Sequence, residues 1–504
     1  MSTYHKIIKN SGLLYIRTIV SLIVNIFTTR ITLEALGVSD YGLYNVIGGA
    51  IGMLGFLSAT MSSTTQRFIN YAEGAGNTAD IIKTLNNSLI LHYIIASVSA
   101  IILLIAGIFF FNGILNIPAG QQNAAYVVYG CLIISTIFSI TITPYDATII
   151  AHENMAFYSI LGIVDVLLKL LIAILILYLP AEQLIIYSIL LAIESMLLRT
   201  IAKTYCRRKY DECKHTDIKN YDKARIKQMA TFAGWNMANI ATSMISLYGT
   251  NVIINHYFGT ELNAAMGIAT QLSGILMSIS TNMIKALTPA LVKAEGGHKR
   301  DKMIAMSYTG CKFSLLVLSF LCIPIILYLP YILDLWLKNP PGWTSVFCLI
   351  SLIAILFDQS TVLLYQSIMA EGHIKEYNFA RSVTNIMPLF VSIIMFSALN
   401  FSPVWGLLNW VIWKSIVGSI VNLIFSHRNL GISYSAFWHK TYLPCILGII
   451  PTTIIGLLLQ NLSAELNNLI QISLLFILSI PIYWRLSLTK SERNTLKTFL
   501  TVKI

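Results

Sequence analysis

The sequence predicts an all-α integral membrane protein with about fourteen transmembrane helices, built as two pseudo-symmetric six-helix lobes followed by two C-terminal helices. Three observations lead to this fold class. Of 504 residues, 56% are hydrophobic and 11% are charged, with a mean hydropathy of +0.72, and no soluble core buries that much apolar side chain. The apolar runs are continuous and about twice as long as a transmembrane β-strand. The chain also repeats itself internally.

The apolar runs give the individual helices. A helix that crosses a bilayer needs about 20 mainly apolar residues, and only helices can satisfy the backbone over continuous runs of this length. The predicted spans are residues 11–33, 42–66, 87–111, 124–149, 158–179, 183–204, 228–256, 263–290, 305–329, 343–369, 379–399, 405–425, 442–459 and 468–486.

The two lobes follow from a repeat with a shift of 222 residues. This shift places Gly37 on Gly259, and the "AEG" at Ala72 on the "AEG" at Ala294, without a gap. Since the shift covers six spans, an even number, both copies start on the same side of the membrane. Later, "AHENMAFY" from Ala151 matches "AEGHIKEY" at a shift of 219. The predicted division is residues 1–205 for the N-terminal lobe, 206–227 for a basic linker, 228–425 for the C-terminal lobe and 426–504 for two further helices and a tail.

The basic residues predict the orientation. Roughly 27 of the 34 Lys and Arg residues fall in alternate loops beginning with the N-terminus, so both termini and the basic linker are expected in the cytoplasm. A topogenic role of these loops explains the net charge of +12, and no nucleic-acid partner is needed. Cys206, Cys213 and His215 have a spacing unlike a zinc site and lack a fourth ligand, so no metal or cofactor is expected.

Polar residues inside the spans mark a predicted wet and net positive cavity between the lobes. A charge at a helix centre costs about 2.5 to 3.5 kcal/mol even on the milder scale, so such residues usually face a cavity or a partner. For Arg17 and Arg30 the alternative is snorkelling to the surface, and for Asp165 it is a simple pair with Lys169, four residues on. The candidate substrate-binding residues are Arg17, Arg30, Lys285, Asn25, Asn236, Asn239, Gln271 and Asn282, and the candidate ion-coupling residues are Asp358, Glu194 and Asp165.

The N-terminal part of the chain, up to about residue 80, resembles a known family. The segment Thr28–Phe68, "TTRITLEALGVSDYGLYNVIGGAIGMLGFLSATMSSTTQRF", followed by "EGAGN", is similar to the signature of the bacterial polysaccharide transporters, the O-antigen and capsule flippases. Their superfamily is the multidrug/oligosaccharidyl-lipid/polysaccharide (MOP) exporters, which also include the lipid II flippase and the multidrug and toxin extrusion (MATE) pumps. The matching residues are Arg30, Gly37, Asp40, Tyr41, Gly42, Tyr44, Asn45, Gly48, Gly49, Gln66 and Arg67, and they indicate the family better than they indicate a site.

The resemblance implies a transporter of the bacterial cytoplasmic (inner) membrane and not an enzyme. Such a flippase moves an undecaprenyl-pyrophosphate-linked oligosaccharide, the repeat unit of O-antigen or capsule, from the inner to the outer leaflet by alternating access. The implied partners are this lipid-linked oligosaccharide, membrane lipids, and a polysaccharide polymerase and chain-length regulator. Coupling to a Na⁺ or H⁺ gradient or to the membrane potential stays open.

Two alternatives remain. A cation-coupled multidrug exporter is favoured if the carboxylates of the cavity outnumber its cations. A membrane-embedded polysaccharide polymerase or glycosyltransferase needs a sizeable catalytic outer loop, and the predicted outer loops are short.

Overall fold

The computed structural model describes residues 3–52, 55–114, 117, 120–179, 182–214, 216, 221–337, 341–462 and 467–501. All regular secondary structure within these ranges is helical, as the sequence predicts. Numbered in chain order, the helices are α1 Ile8–Gly37, α2 Gly55–Gly74, α3 Thr78–Asn112, α4 Gln122–Ala151, α5 Met155–Leu177, α6 Gln183–Lys209, α7 Asp211–Lys214, α8 Lys223–Gly259, α9 Glu261–Gly296, α10 Arg300–Leu327, α11 Leu329–Leu337, α12 Thr344–Ser360, α13 Val362–Glu371, α14 Lys375–Ser397, α15 Pro403–Leu430, α16 Tyr434–Asn461, α17 Asn468–Ser487 and α18 Lys490–Thr501.

The number of candidate spans agrees closely with the prediction. Within the described ranges, 12 helices are long and apolar enough to cross a membrane, and α12 with α13, bent by 41° at their junction, makes a thirteenth. The one predicted span without a counterpart in this set is 42–66. It includes residues 53–54, which lie outside the described residues, and the chain around them forms two shorter helical segments, 38–52 and α2. The structure therefore confirms a multi-span helical membrane protein.

Contacts divide the chain into two compact units. The N-terminal unit is Ile8–Met237, and the C-terminal unit is Ala238–Ile504 together with Met1–Ile7. The division falls inside α8, beyond the predicted linker. The exact limits of the predicted lobes and linker remain predictions.

The first turns of α8 belong to the N-terminal unit because their side chains bind there. Arg225 forms an ion pair with Asp80 of α3, with 2.7 Å between Nη2 and Oδ2. Phe232 packs edge-on against Phe68 of α2, with ring centroids 5.7 Å apart. These contacts fasten the start of α8 to α2 and α3.

Each unit has its own apolar core. In the N-terminal unit, Ile47, Val128 and Ile176 belong to one buried cluster that joins residues 38–52 with α4 and α5. In the C-terminal unit, Phe347 and Leu407 belong to a cluster that joins α12 and α15. These cores hold the helices that carry the polar sites described below.

The internal repeat appears in the backbone. Gly37, at the end of α1, has φ 74° and ψ 169°, and Gly259, at the end of α8, has φ 82° and ψ −174°. This region of conformational space is essentially restricted to glycine, so both positions require it. Gly76 and His298, related by the same shift of 222, also share a positive φ, 71° and 56°. The backbone therefore repeats at the positions that the sequence shift pairs.

The linker after α6 is held against the N-terminal unit through His152. Nε2 of His152 forms a hydrogen bond with the carboxylate of Glu212 on α7, and Nδ1 lies 3.6 Å from Oε2 of Glu73 at the end of α2. The imidazole also stacks on Tyr210, with ring centroids 4.3 Å apart. One side chain from the α4–α5 turn thus binds both α2 and α7.

Candidate functional site

The N-terminal unit contains a polar cavity of about 270 Å³. Five helices line it, namely α1, α2, α4, α5 and α6. Its charged lining residues are Arg17, Asp146, Asp165 and Arg199, and its hydroxyl-bearing lining residues are Ser62, Thr143, Tyr158 and Ser195. A space inside a helical bundle with two arginines and two aspartates in its wall is suited to a charged or strongly hydrated ligand.

Arg17, a predicted substrate-binding residue, lies in this cavity. Its guanidinium sits above the ring of Tyr158, 4.5 Å from the centroid, in a cation–π contact. It also lies directly against Gly162 of α5, where any Cβ atom would overlap the guanidinium. The glycine therefore provides the space in which Arg17 is placed.

Asp146 and Arg199 were not predicted as site residues. Both lie near the ends of the predicted spans 124–149 and 183–204, where charges are expected at the membrane surface. In the structure, Nη1 of Arg199 forms an ion pair with Oδ2 of Asp146, and both line the cavity. The sequence does contain a signal, since Ser139, Thr143 and Asp146 recur at helical spacing on one face of α4.

Asp165 in the cavity wall and Glu194 beside it both interact with one lysine, Lys169. Nζ of Lys169 is 2.9 Å from Oδ1 of Asp165, which confirms the pair expected from their spacing. Glu194, only 5% exposed, interacts electrostatically with both residues, and its Oε1 has no hydrogen-bond partner in the described part of the chain. The structure thus gathers three predicted site residues, Arg17, Asp165 and Glu194, around one cavity.

In the C-terminal unit, predicted residue Asn239 lies in a network of amides. Its Nδ2 donates to Oδ1 of Asn378, at 3.3 Å, and its Oδ1 accepts from Nδ2 of Asn385, at 3.0 Å. Nδ2 of Asn385 also reaches Oγ1 of Thr242, at 3.4 Å. Asn239 therefore joins α8 to α14, and its hydrogen bonds are largely used within the unit.

Asp358, a predicted ion-coupling residue, faces two cations in the same unit. It interacts electrostatically with Lys414 and Arg381. Nη1 of Arg381 donates to the carbonyl oxygen of Lys414 at 3.3 Å, and Nζ of Lys414 lies 4.6 Å from the ring centroid of Trp410. Arg381 and Lys414 were not among the predicted site residues. Arg381 lies near the end of the predicted span 379–399 and resembles a surface charge, whereas Lys414 lies inside the predicted span 405–425.

Each unit holds an arginine against a glycine, but the two contacts join different pairs of helices. In the N-terminal unit Arg17 lies against Gly162, and in the C-terminal unit Arg381 lies against Gly418. The shift of 219 places Gly162 on Arg381, and it places Arg199 on Gly418. The contact joins α1 to α5 in the N-terminal unit and α14 to α15 in the C-terminal unit, so the repeat does not conserve it.

The remaining predicted residues differ in exposure. Asn25, Arg30, Gln271 and Lys285 are exposed, whereas Asn236 and Asn282 are buried. Nδ2 of Asn236 donates to Oγ of Ser63 at 3.2 Å. No contact in the described ranges joins the four exposed residues to another predicted site residue, so their assembly into one site stays a prediction.

No group of three or more His, Cys, Asp or Glu residues in the described ranges could hold a metal ion.

Comparison with solved structures places this arrangement of helices among known transporters. A crystal structure of a MATE protein with a proline-to-alanine substitution matches with a TM-score of 0.73 at 13% identity, covering 86% of this chain and 96% of that one. An outward-facing multidrug resistance MATE family transporter of the MOP superfamily matches with a TM-score of 0.71 at 13% identity, over 88% and 98%. The chain has the MATE fold.

A third MATE-fold neighbour is a MOP superfamily transporter from Pyrococcus furiosus, described as having a binding pocket of reverse polarity that suggests a different function. It matches with a TM-score of 0.69 at 14% identity, over 86% of this chain and 96% of that one. Comparisons with protein-family models and with curated proteins give no match. At these identities the likeness shows the MATE fold alone, which agrees with the superfamily that the N-terminal segment resembles.

Proposed function

We propose that the protein is an alternating-access flippase that moves an undecaprenyl-pyrophosphate-linked oligosaccharide, the repeat unit of O-antigen or capsule, from the inner to the outer leaflet of the bacterial cytoplasmic membrane. The fold and the N-terminal segment both support this function. The MATE fold is that of proteins described as transporters. The segment Thr28–Phe68 resembles the polysaccharide transporters in particular.

The observation that carries the proposal is an imbalance of charge on the helices. Arg30 and Lys285 lie on candidate spans, are exposed, and have no ion pair in the described ranges. By contrast, Asp146 and Asp165 are each paired with a cation. Cations without partners at membrane depth usually face water and a substrate pathway. Such a pathway favours an anionic cargo.

The strength of the expected charge interactions suits a pyrophosphate cargo. Two unit charges about 4 Å apart attract by about 4 kcal/mol at an effective dielectric constant near 20. One or two such contacts hold a pyrophosphate without trapping it. The cargo carries about two negative charges. Because the inside of the membrane is negative, the electrical free energy falls by about 2.3 kcal/mol per charge per 100 mV when the cargo moves outward. The potential alone then biases export by roughly 4 to 5 kcal/mol at 100 mV.

The acidic residues supply candidates for ion coupling. Glu194 is buried beside Asp165, and one of its oxygens has no hydrogen-bond partner among the described residues. Binding of a proton or Na⁺ there relieves the cost of an unsatisfied buried carboxylate. Asp358 is the corresponding candidate in the C-terminal unit, although two cations already interact with it.

A multidrug exporter is the second candidate function, since one fold neighbour is described as a multidrug resistance transporter. A cationic drug needs carboxylates that are available to it, and the cavity aspartates of this chain are paired. The Pyrococcus furiosus neighbour, whose binding pocket is described as having reverse polarity, shows that pocket polarity is not the same throughout this fold.

The proposal is tested in a strain that lacks the gene. We expect lipid-linked glycan to accumulate on the cytoplasmic face of the membrane, and we expect the wild-type protein to reverse this. Sensitivity to ethidium is measured in the same strains. A strain that gains drug sensitivity without accumulating glycan supports the exporter and contradicts the flippase.

A further inference from the structure

The C-terminal helix α18 stays close to the membrane. It begins at Lys490, and the last candidate span, α17, ends at Ser487. A connection of this length spans about 10 Å at most when fully extended. The start of α18 therefore lies at the membrane surface that α17 reaches, which is the cytoplasmic surface in the orientation predicted from the basic loops.

The first turn of α18 is fixed by Glu492. Its Oε2 accepts a hydrogen bond from the backbone N–H of Thr489 at 2.8 Å, and its own N–H donates to Oγ1 of Thr489 at 3.4 Å. This reciprocal pair is a capping box, which defines the start of a helix. Both carboxylate oxygens of Glu492 also lie 2.5 Å from Nζ of Lys312, whose side chain is only 3% exposed. The carboxylate is therefore directed into the C-terminal unit, toward α10.

Apart from Glu492, which pairs with Lys312, the charged side chains of the tail are all basic. Glu492 is the one acidic residue between residues 468 and 504, a stretch that contains five basic residues. Arg485, Lys490 and Lys497 are exposed, and Arg493 is half-buried, with an Nε that has no hydrogen-bond partner in the described ranges. Because the Glu492 side chain faces inward, the exposed charged side chains of the tail that the structure describes are all positive.

We propose that Arg485 and α18 form a docking surface for the headgroups of anionic phospholipids in the adjacent leaflet. Charge complementarity and position carry this inference. The tail is cationic and covalently held at the membrane surface, and the cytoplasmic leaflet is negatively charged. Each Lys or Arg near such a surface strengthens binding by about fivefold. Lys490, Arg493 and Lys497 together then give about a hundredfold.

The lipid contact also reaches a helix of the C-terminal unit. The Lys312–Glu492 ion pair joins the capped end of α18 to α10, which is a candidate span. A lipid bound by the tail is therefore linked to that span through this ion pair. This inference concerns the tail and its lipid, and it holds whichever cargo the protein carries.

The test uses the full-length protein in nanodiscs of phosphatidylcholine, with or without phosphatidylglycerol, and measures hydrogen–deuterium exchange of the backbone amides of α18. We expect exchange to be about a hundredfold slower in the anionic discs, and we expect most of this protection to disappear at high salt. The variant Lys490→Gln/Arg493→Gln/Lys497→Gln should lose the protection. A matched control, Lys83→Gln/Lys223→Gln/Lys227→Gln, removes three exposed cations elsewhere and should keep it.

Three outcomes would overturn the proposal. Exchange at equal rates in neutral and anionic discs shows that the tail does not respond to anionic lipid. Protection that survives in the tail variant shows that other residues cause it. Equal protection by soluble glycerol phosphate, added to neutral discs, shows a general anion site and not a lipid-docking surface.

Discussion

Lys285 is the residue on which the proposed cargo chemistry depends most. It is exposed on α9 although its neighbours Ile284 and Ala286 are buried, and it lies 11 residues before the helix end at Gly296, about 16 Å along the axis. Since the requirement is a positive charge in a wet passage, Lys285→Arg should retain partial transport and Lys285→Ala should abolish it. Transport is measured by translocation of lipid-linked oligosaccharide at matched expression.

Lys83→Ala serves as the control for this change, because Lys83 is also exposed on a candidate span but lies near the start of α3. It should transport at the wild-type rate. If Lys285→Ala does so as well, Lys285 is a snorkelling residue and has no role in neutralising the cargo.

Gly162 tests the position of Arg17. A methyl group at this position would overlap the guanidinium, so Gly162→Ala should expel Arg17 from its place above Tyr158. Overpacking of this kind typically costs about 1 to 3 kcal/mol. We expect Gly162→Ala to reduce transport as strongly as Arg17→Ala does.

The matched control is Gly130→Ala on α4, where an added Cβ would meet nothing within 4 Å. This variant should be neutral or slightly stabilising, since alanine favours a helix. Equal transport by the Gly162→Ala and Gly130→Ala variants would show that the position of the Arg17 side chain against Gly162 does not matter for transport.

Glu212 controls the attachment of α7. Burial raises its pKa most, but the hydrogen bond with His152, a backbone hydrogen bond and the charge of His152 together lower it by more, and the net pKa lies below the ordinary glutamate value. A lowered pKa means that the contact stabilises α7 at neutral pH and that this stabilisation is lost as the pH falls through the folded-state value. Glu212→Gln should therefore loosen α7 and speed labelling of the buried Cys213 about tenfold at pH 7.

The labelling is followed by mass spectrometry with a disulfide reagent that remains active in acid. Asp211→Asn is the control, because the carboxylate of Asp211 is 86% exposed and its ion pair is with Lys214 of the same helix. In the wild-type protein, labelling should accelerate only in the acid range. Labelling of Cys213 that is independent of both pH and Glu212 would contradict the attachment.

Helix α18 and the Lys312–Glu492 pair give a prediction at the scale of elements. Breaking a buried ion pair on one side leaves an uncompensated charge, which costs about 3 to 5 kcal/mol. Glu492→Gln keeps the capping box, since glutamine also serves at that position, and should still lower the thermal stability of the purified protein. Lys312→Met/Glu492→Gln should recover most of the loss.

An exposed ion pair provides the comparison. Arg428 and Glu376 are 61% and 64% exposed, so Glu376→Gln should change the stability by at most about 1 kcal/mol. Equal losses for Glu492→Gln and Glu376→Gln would show that the Lys312 contact is no stronger than a surface pair.

The helices could be predicted well from the sequence, and the partners of their charges could not. Run length and mean hydropathy fix where a helix crosses, and the recurrence of Gly37 at Gly259 fixes the break that follows α1 and α8. Asp146 and Arg199 were missed because nothing in either span indicates that α4 and α6 bring them together. Arg381 was missed for the same reason, since a charge near a span end has the same pattern whether it faces solvent or Lys414.

Across the whole molecule the two halves of the repeat share their backbone conformation more than they share their charged side-chain contacts. The positive φ values at Gly37 and Gly259 recur, whereas the arginine–glycine contact joins different pairs of helices in the two units. Backbone conformation is constrained by the helices that follow it, and side-chain charge is constrained by the cargo and the coupling ion. The symmetric fold was therefore predictable from the shift of 222. For Arg17 the sequence left both a cavity position and snorkelling open, and only the structure places it in the cavity.

The central claim is that the protein exports an anionic lipid-linked glycan. The most direct measurement reconstitutes it in liposomes with a fluorescent undecaprenyl-pyrophosphate oligosaccharide in the inner leaflet and follows its arrival in the outer leaflet by quenching. Two negative charges and an inside-negative potential of about 100 mV should bias the distribution outward by a factor on the order of 1,000. The account predicts potential-dependent export that Lys285→Ala abolishes. Export of ethidium in place of the glycan, or no glycan movement at any potential, would contradict it.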